Sequence, residues 1–134
     1  MRSSVRTLGV ALVGVLLPAC SGPEPIGPTP LDQGVIIFIH SGFRGPSQQL
    51  GTDISDLTRV EGPCGSHEDG TPTWNDCISS VRVLPGWGAT LYGDRNFHGA
   101  TIQLTEDVAD LALKTGSCSG SYDDCISSIR VYRR

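Results

Sequence analysis

Trp74-Asn75-Asp76-Cys77-Ile78-Ser79-Ser80-Val81-Arg82-Val83 returns near the C-terminus as Tyr122-Asp123-Asp124-Cys125-Ile126-Ser127-Ser128-Ile129-Arg130-Val131. Seven of the ten positions are identical and three change conservatively. An internal repeat marks a supersecondary unit that cannot bury its apolar face alone. Each copy opens polar and then turns apolar. Two adjacent Asx residues and two serines put many oxygen atoms on one short loop, the ligand type that hard cations such as calcium prefer.

The repeat reaches well beyond these ten residues. Phe38-x-x-x-x-Phe43-x-Gly45 matches Tyr92-x-x-x-x-Phe97-x-Gly99 at a shift of 54. The same shift pairs Leu50 with Leu104, Asp53 with Asp107, Asp56 with Asp110, Leu57 with Leu111 and Cys64 with Cys118. Past that cysteine the shift is 48, so the first copy carries six extra residues within Gly65 to Thr73. That stretch is rich in Gly, Pro, Ser and Asp and reads as a loop. Val35 to Ile39, Leu50, Val81 to Leu84, Leu91 to Tyr92, Ile102 to Leu104 and Ile129 to Tyr132 are short β-branched or aromatic runs between glycines and prolines. Their period of two predicts strands. Helix signals are weak, with a short helical turn expected within Glu106 to Leu113. Two units of four short strands, each with an open apolar face, are expected to pack as an all-β sandwich of about eight strands.

With these motifs in place, residues 35 to 133 resemble a βγ-crystallin domain. The aromatic-x-x-x-x-aromatic-x-Gly signature followed by [Asn/Asp]-[Asn/Asp]-x-x-Ser-Ser is that family's Greek key unit, and it occurs twice, in order. The resemblance implies two intertwined Greek keys, motif 1 at 34–86 and motif 2 at 87–134. Gly45 and Gly99 are then needed where the first hairpin folds over its sheet and leaves no room for a Cβ.

The resemblance further implies two calcium sites, each shared between the motifs. On that pattern Ser79 and the Asp76 carbonyl meet Asp110 and a carbonyl near Gly93. Ser127 and the Asp124 carbonyl meet Asp56 and a carbonyl near Ile39. Asn75 and Asp123 hold the loops in shape through side-chain bonds. Asx and Ser also cluster in turns for purely local reasons. With few charged ligands per site, affinity is expected in the range of about 10⁻⁴ to 10⁻³ M.

Cys20 aside, four cysteines remain, which allow three pairings. Repeat symmetry favours Cys64 with Cys77 and Cys118 with Cys125, each bridge stiffening the loop two residues ahead of Ser79 or Ser127. Cys64-x-x-His67 has zinc-like spacing, but zinc wants four ligands and the second copy has no matching histidine. Gly116-Ser117-Cys118-Ser119-Gly120 looks superficially like a nucleophile elbow, yet that device belongs to a much larger α/β fold. His40, His67 and His98 fall in turns without triad spacing, so no catalytic residue is assigned. Trp87 is expected at the join of the motifs.

Residues 1–20 read as a leader: Arg2 and Arg6, then an apolar run from Leu8 to Leu17, too short to span a membrane. The run ends in Leu17-Pro18-Ala19-Cys20, which resembles a bacterial lipobox with Cys20 as the lipidated residue. The alternative is an ordinary secretory signal; both predict export. Residues 21–33, with Pro23, Pro25, Pro28 and Pro30, read as a semi-rigid linker, and 34–134 as the domain. Without Arg2 and Arg6, eight Lys and Arg face fourteen Asp and Glu, a formal net charge of −6. That disfavours nucleic acid, which needs a basic face. The expectation is a non-enzymatic, calcium-binding domain of the cell envelope, anchored to a membrane through Cys20. The alternative is a peptidase inhibitor or other protein-binding module, using Gly65 to Thr73 on an unidentified partner.

Overall fold

A computed structural model of the chain describes residues 32–64 and 67–134. The leader, Cys20 and nearly all of the linker lie outside the described residues, as do Gly65 and Ser66 of the inserted loop. The described residues form an all-β structure of eight strands: β1 Val35–His40, β2 Arg44–Leu50, β3 Glu61–Cys64, β4 Ser80–Val83, β5 Trp87–Asp94, β6 His98–Leu104, β7 Thr115–Cys118 and β8 Ser128–Arg133.

Two antiparallel three-stranded sheets are built, in the orders β2-β1-β4 and β6-β5-β8. The motifs interlock through their third segments. Ile54, from motif 1, bridges Ile129 on β8, while Val108, from motif 2, bridges Val81 on β4. Each bridge has two backbone hydrogen bonds of 2.8 to 2.9 Å. An aspartate beside each bridge lengthens it: Asp53 accepts from Val131 N, and Asp107 from Val83 N, both at 2.8 Å. These are the two aspartates that the repeat sets in register.

Period-two alternation sends Val35, Ile37 and Val81 inward from one sheet, and Ala89, Leu91, Ile129 and Val131 from the other. Leu57, Ile78, Leu111 and Ile126 close the core with no exposed surface, and Trp74 and Tyr122 pack beside them. Each such aliphatic side chain contributes about 1.5–3 kcal/mol of burial. Trp87 opens β5 directly after motif 1, part-buried on the core with the Arg133 guanidinium 5.0 Å from its ring.

The expected helical turn is a 3₁₀ turn at Leu111–Leu113, and it has a twin at Leu57–Arg59. Gly34 O accepts from Leu84 N at 3.1 Å, and Gly86 O from Arg134 N at 2.9 Å. Both ends of the described fold are thereby tied to the connector between the motifs.

Candidate metal centre

Each Asx-Asx-Cys-Ile-Ser-Ser loop is shaped from within. Asp76 and Asp124 take left-handed backbone, with φ of 54° and 49°, which Asx tolerates better than most residues. Ile78 and Ile126 are fully buried anchors. Disulfides Cys64–Cys77 and Cys118–Cys125 hold the start of each loop, with Cα separations of 6.1 and 5.9 Å. This is the pairing that the repeat symmetry favours. Disulfides suit an oxidising, extracytoplasmic environment. Among the described residues no helix is long and apolar enough to cross a membrane.

The two serines of each loop do different work. Ser80, with no exposed surface, accepts from Phe43 N at 3.0 Å and donates to His40 O at 2.6 Å. Ser128 repeats this with Phe97 N and Asp94 O at the same distances. These serines pin the folded hairpins, in which Phe43 and Phe97 hold φ of 59° and 61°. Phe43 stands edge-on to Phe38 with Arg82 4.7 Å from its ring, and Phe97 edge-on to Tyr92 with Arg130 at 4.4 Å. Gly45 and Gly99 sit where a Cβ would come within 2.7 Å of His40 and 2.5 Å of Asp94.

The other two serines face open hollows, and here the loops cross. Ser79 Oγ donates to Asp124 Oδ1 and Ser127 Oγ to Asp76 Oδ1, both at 3.4 Å. Asp76 N donates to Ile126 O at 3.1 Å and Asp124 N to Ile78 O at 3.3 Å. One hollow is lined by His40, Ser41, Arg44, Ser79, Asp110, Ala112 and Asp123. Its counterpart is lined by Thr58, Asn75, Asp94, Arg95, Asn96 and Ser127. Asp56 lies in an adjoining hollow with Ser55, Arg59, Arg95 and Asn96, one residue from Leu57, whose N–H donates to Ser127 O at 2.9 Å.

This arrangement differs from the sequence reading in two respects. Ser79 and Asp110 share a hollow, but the hairpin there is that of Ile39–Ser41, not that of Gly93. The Ser127 hollow has the Gly93–Asp94 hairpin instead of Ile39. By their side chains, Asp76 meets Ser127 and Asp124 meets Ser79, each across to the other loop; the expectation for their carbonyls is a separate one. The crossing of the third segments sends each loop to the other motif's Asx pair. Asp56 and Asp110 also have a local task, since each caps its 3₁₀ turn by accepting from Thr58 N or Ala112 N at 3.0 and 2.9 Å.

Asn75 and Asp123 are more than loop braces. Asn75 Nδ2 does donate to Asp76 Oδ2 at 2.6 Å. Yet Asn75 Oδ1 and Asp123 Oδ1 are buried oxygens without a hydrogen-bond partner, the two side-chain atoms of this kind among the described residues. They occupy equivalent places in the two loops. A buried orphan acceptor costs about 1–3 kcal/mol, and a cation would satisfy it. Burial raises the pKa of Asp76 against hydrogen bonds from Ser127 and Asn75. Burial chiefly, with the neighbouring Asp123 charge, raises that of Asp124. The donor set of hydroxyl, carboxylate, amide and carbonyl oxygens fits a hard cation such as calcium. It does not fit zinc, because Cys64 is held in a disulfide. Among the described residues no three His, Cys, Asp or Glu side chains cluster as metal ligands, so an ion here would draw on hydroxyl, amide and carbonyl oxygens as well. Cys118, at the centre of the elbow-like segment, is likewise bonded to Cys125 and is no nucleophile.

No family model matches the chain. Spherulin-3A of Physarum polycephalum is 30% identical over 114 residues, covering 84% of this chain and 91% of that protein. A solved domain from work on the evolution of the eye-lens βγ-crystallin domain fold is 28% identical with a TM-score of 0.62, covering 82% of this chain and 95% of its own. A βγ-crystallin domain from Flavobacterium johnsoniae is 28% identical with a TM-score of 0.56, covering 75% and 94%.

Proposed function

The chain belongs to the βγ-crystallin family, and on that premise we propose that it is a non-enzymatic, calcium-binding domain exported to the cell envelope. The observation that carries this reading is the pair of buried, partnerless oxygens, Asn75 Oδ1 and Asp123 Oδ1, at equivalent places beside the two serine-lined hollows. In the first hollow Ser79, Asp110 and Asp123 would hold the ion, with the His40 hairpin beside them. In the second Ser127, Asn75 and Asp94 would do so, with Asp56 adjoining. A bound calcium ion supplies positive charge to oxygens that otherwise repel one another or lack donors. The chain's own part is to keep those oxygens in place, through the left-handed Asp76 and Asp124, the pinned hairpins and the disulfides. At about one hundred times its dissociation constant, one site adds roughly 2.7 kcal/mol of stability. Out of a total of about 5–15 kcal/mol, that is a large share.

Export follows from the leader-like segment, and a lipid anchor at Cys20 would hold the domain to a membrane. Thermal melts of the oxidised protein in EDTA and in about millimolar calcium, with calorimetric titration, test the calcium reading. A clear rise in Tm with up to two sites is expected. No shift and no heat would leave the loops as structural turns only.

A second reading, a peptidase inhibitor or other protein-binding module, draws on the inserted loop. Its described part is ordered by its own turn, with His67 N donating to Thr71 O and Gly70 N to His67 O, both at 2.8 Å. The second motif closes its shorter segment with one turn, Gly116 N donating to Gly120 O at 3.2 Å. Loss of protease binding on shortening Gly65 to Thr73, with or without calcium, would favour this reading.

A further inference from the structure

Resting on the calcium reading above, we infer that the two hollows are unequal, and that the Ser79 hollow takes a divalent cation well before the Ser127 hollow does. The backbone frames are near copies, so the difference lies in the side chains at matching positions.

The first difference is the orphan oxygen itself. Beside the Ser79 hollow the residue that carries it is a carboxylate, Asp123; beside the Ser127 hollow it is a neutral amide, Asn75. The second is the state of the capping aspartate. Asp110 accepts from Ala112 N at 2.9 Å, and neither Ala112 nor the exposed Leu113 can offer a side-chain donor or charge. Asp56, its twin, accepts from Thr58 N at 3.0 Å and from Thr58 Oγ1 at 2.6 Å, and lies 3.5 Å from the Arg59 guanidinium. Its oxygens are largely committed before any ion arrives. The third is the hairpin. Arg95 lines both the Ser127 hollow and the adjoining one, where its counterpart in the first motif is Ser41.

Two differences run the other way. Asp94 stands in the Ser127 hollow where His40 stands in the Ser79 hollow, and Arg44 lines the latter. Arg95, next in sequence to Asp94, offsets its charge. Arg44 Nε is turned to Ser41 O at 3.1 Å. Counting formal charges of carboxylates and guanidinium groups alone, Asp110 and Asp123 against Arg44 leave the Ser79 hollow at −1, and Asp94 against Arg95 leaves the Ser127 hollow at zero. Asp56 against Arg59 leaves the adjoining hollow at zero, and Asp124 and Asp76, which accept from the two serines, add the same charge to each side. Oxygen sites tune calcium affinity through the count of charged ligands, so an unpaired carboxylate in place of an amide decides which site fills first.

The test is calorimetric titration of calcium chloride into the oxidised protein and its Asp123→Asn, Asn75→Asp and Ser127→Ala variants, each first melted in EDTA to verify folding. Asn75→Asp should fold, because the second loop already carries an Asp-Asp pair at these positions. The wild type should show two events separated by about tenfold or more in Kd, or a single event of one ion per chain. Asp123→Asn should weaken the tighter event by about tenfold or more, and Asn75→Asp should strengthen the weaker one. Two wild-type sites of equal affinity, or a tight event that survives Asp123→Asn and is lost in Ser127→Ala, would overturn the ranking and leave calcium binding intact. No heat in any form would overturn both.

Discussion

Ser80 and Ser128 never reach solvent, and each satisfies two backbone groups of a hairpin held in left-handed conformation at a phenylalanine. Ser80→Ala removes both hydrogen bonds and leaves Phe43 N–H and His40 O without that partner. A loss of about 1–3 kcal/mol is expected, read as a lower urea midpoint at unchanged slope; an unchanged midpoint would mean the hairpin holds itself. Ser79→Ala should cost far less in EDTA, because its hydroxyl makes one long contact with Asp124. Asp76 and Asp124 set a pH dependence of known sign. Their native pKa values are raised above 3.8, chiefly by burial. The folded state then binds these protons more tightly than the unfolded state, so their contribution to stability is greatest at low pH. It falls as pH rises through the window between 3.8 and the raised native values. Asp69, whose pKa is lowered first by the Thr71 N–H, contributes with the opposite sign. In EDTA, the Asp76→Asn, Asp124→Asn double variant should therefore lose less stability than the wild type across that window; a parallel decline in both would refute the assignment.

The third segment of each Greek key is barely a strand. Ile54 and Val108 each make one bridge, and Asp53 and Asp107 lend a side-chain acceptor to the next N–H of the facing strand. Asp53→Ala should destabilise by about 1 kcal/mol. Asp107→Ala should cost somewhat less, because its bond to Val83 N is exposed and water can replace it. Equal stability of both variants and the wild type by denaturant titration would show these bonds to be ornamental. The element scale is also where sequence and structure part. β1, β4, β5, β6 and β8 were legible because Val35, Ile37, Leu91, Ile129 and their neighbours alternate in character, whereas β2, Arg44–Leu50, was marked only by its last residue. β3 and β7 were not: Glu61-Gly62-Pro63-Cys64 has no apolar alternation, and Gly62 is there because a Cβ would come within 2.6 Å of the Trp74 ring. The serines, the Asx pairs and the capping aspartates were legible as chemistry. Which hairpin faces which serine was not, since a periodic pattern does not say to which sheet a third segment crosses. Asn75 and Asp123 were legible as members of the calcium loops, but not that each keeps a buried oxygen without a partner. A buried acceptor without a partner is a fact of three-dimensional packing, although the exact repetition of an Asx at that place was a signal.

At the scale of the whole molecule, neither half owns its fold. Each sheet is completed by a bridge from the other motif, and each hollow combines residues from both. Residues 32–86 and 87–134, expressed separately, should show no cooperative thermal transition; a sharp melt of either half alone would contradict this. The termini carry a further consequence. Gly34 and Arg134 are both tied to the Leu84–Gly86 connector, whereas His40 and Asp94 lie at the far ends of β1 and β5. A six-residue strand spans about 20 Å. The molecule therefore has two poles: the chain enters and leaves at one, and both hollows open near the other. A leash fastened ahead of Asp32 would pull on the connector pole, leaving the serine-lined pole turned outward, away from whatever holds the leash.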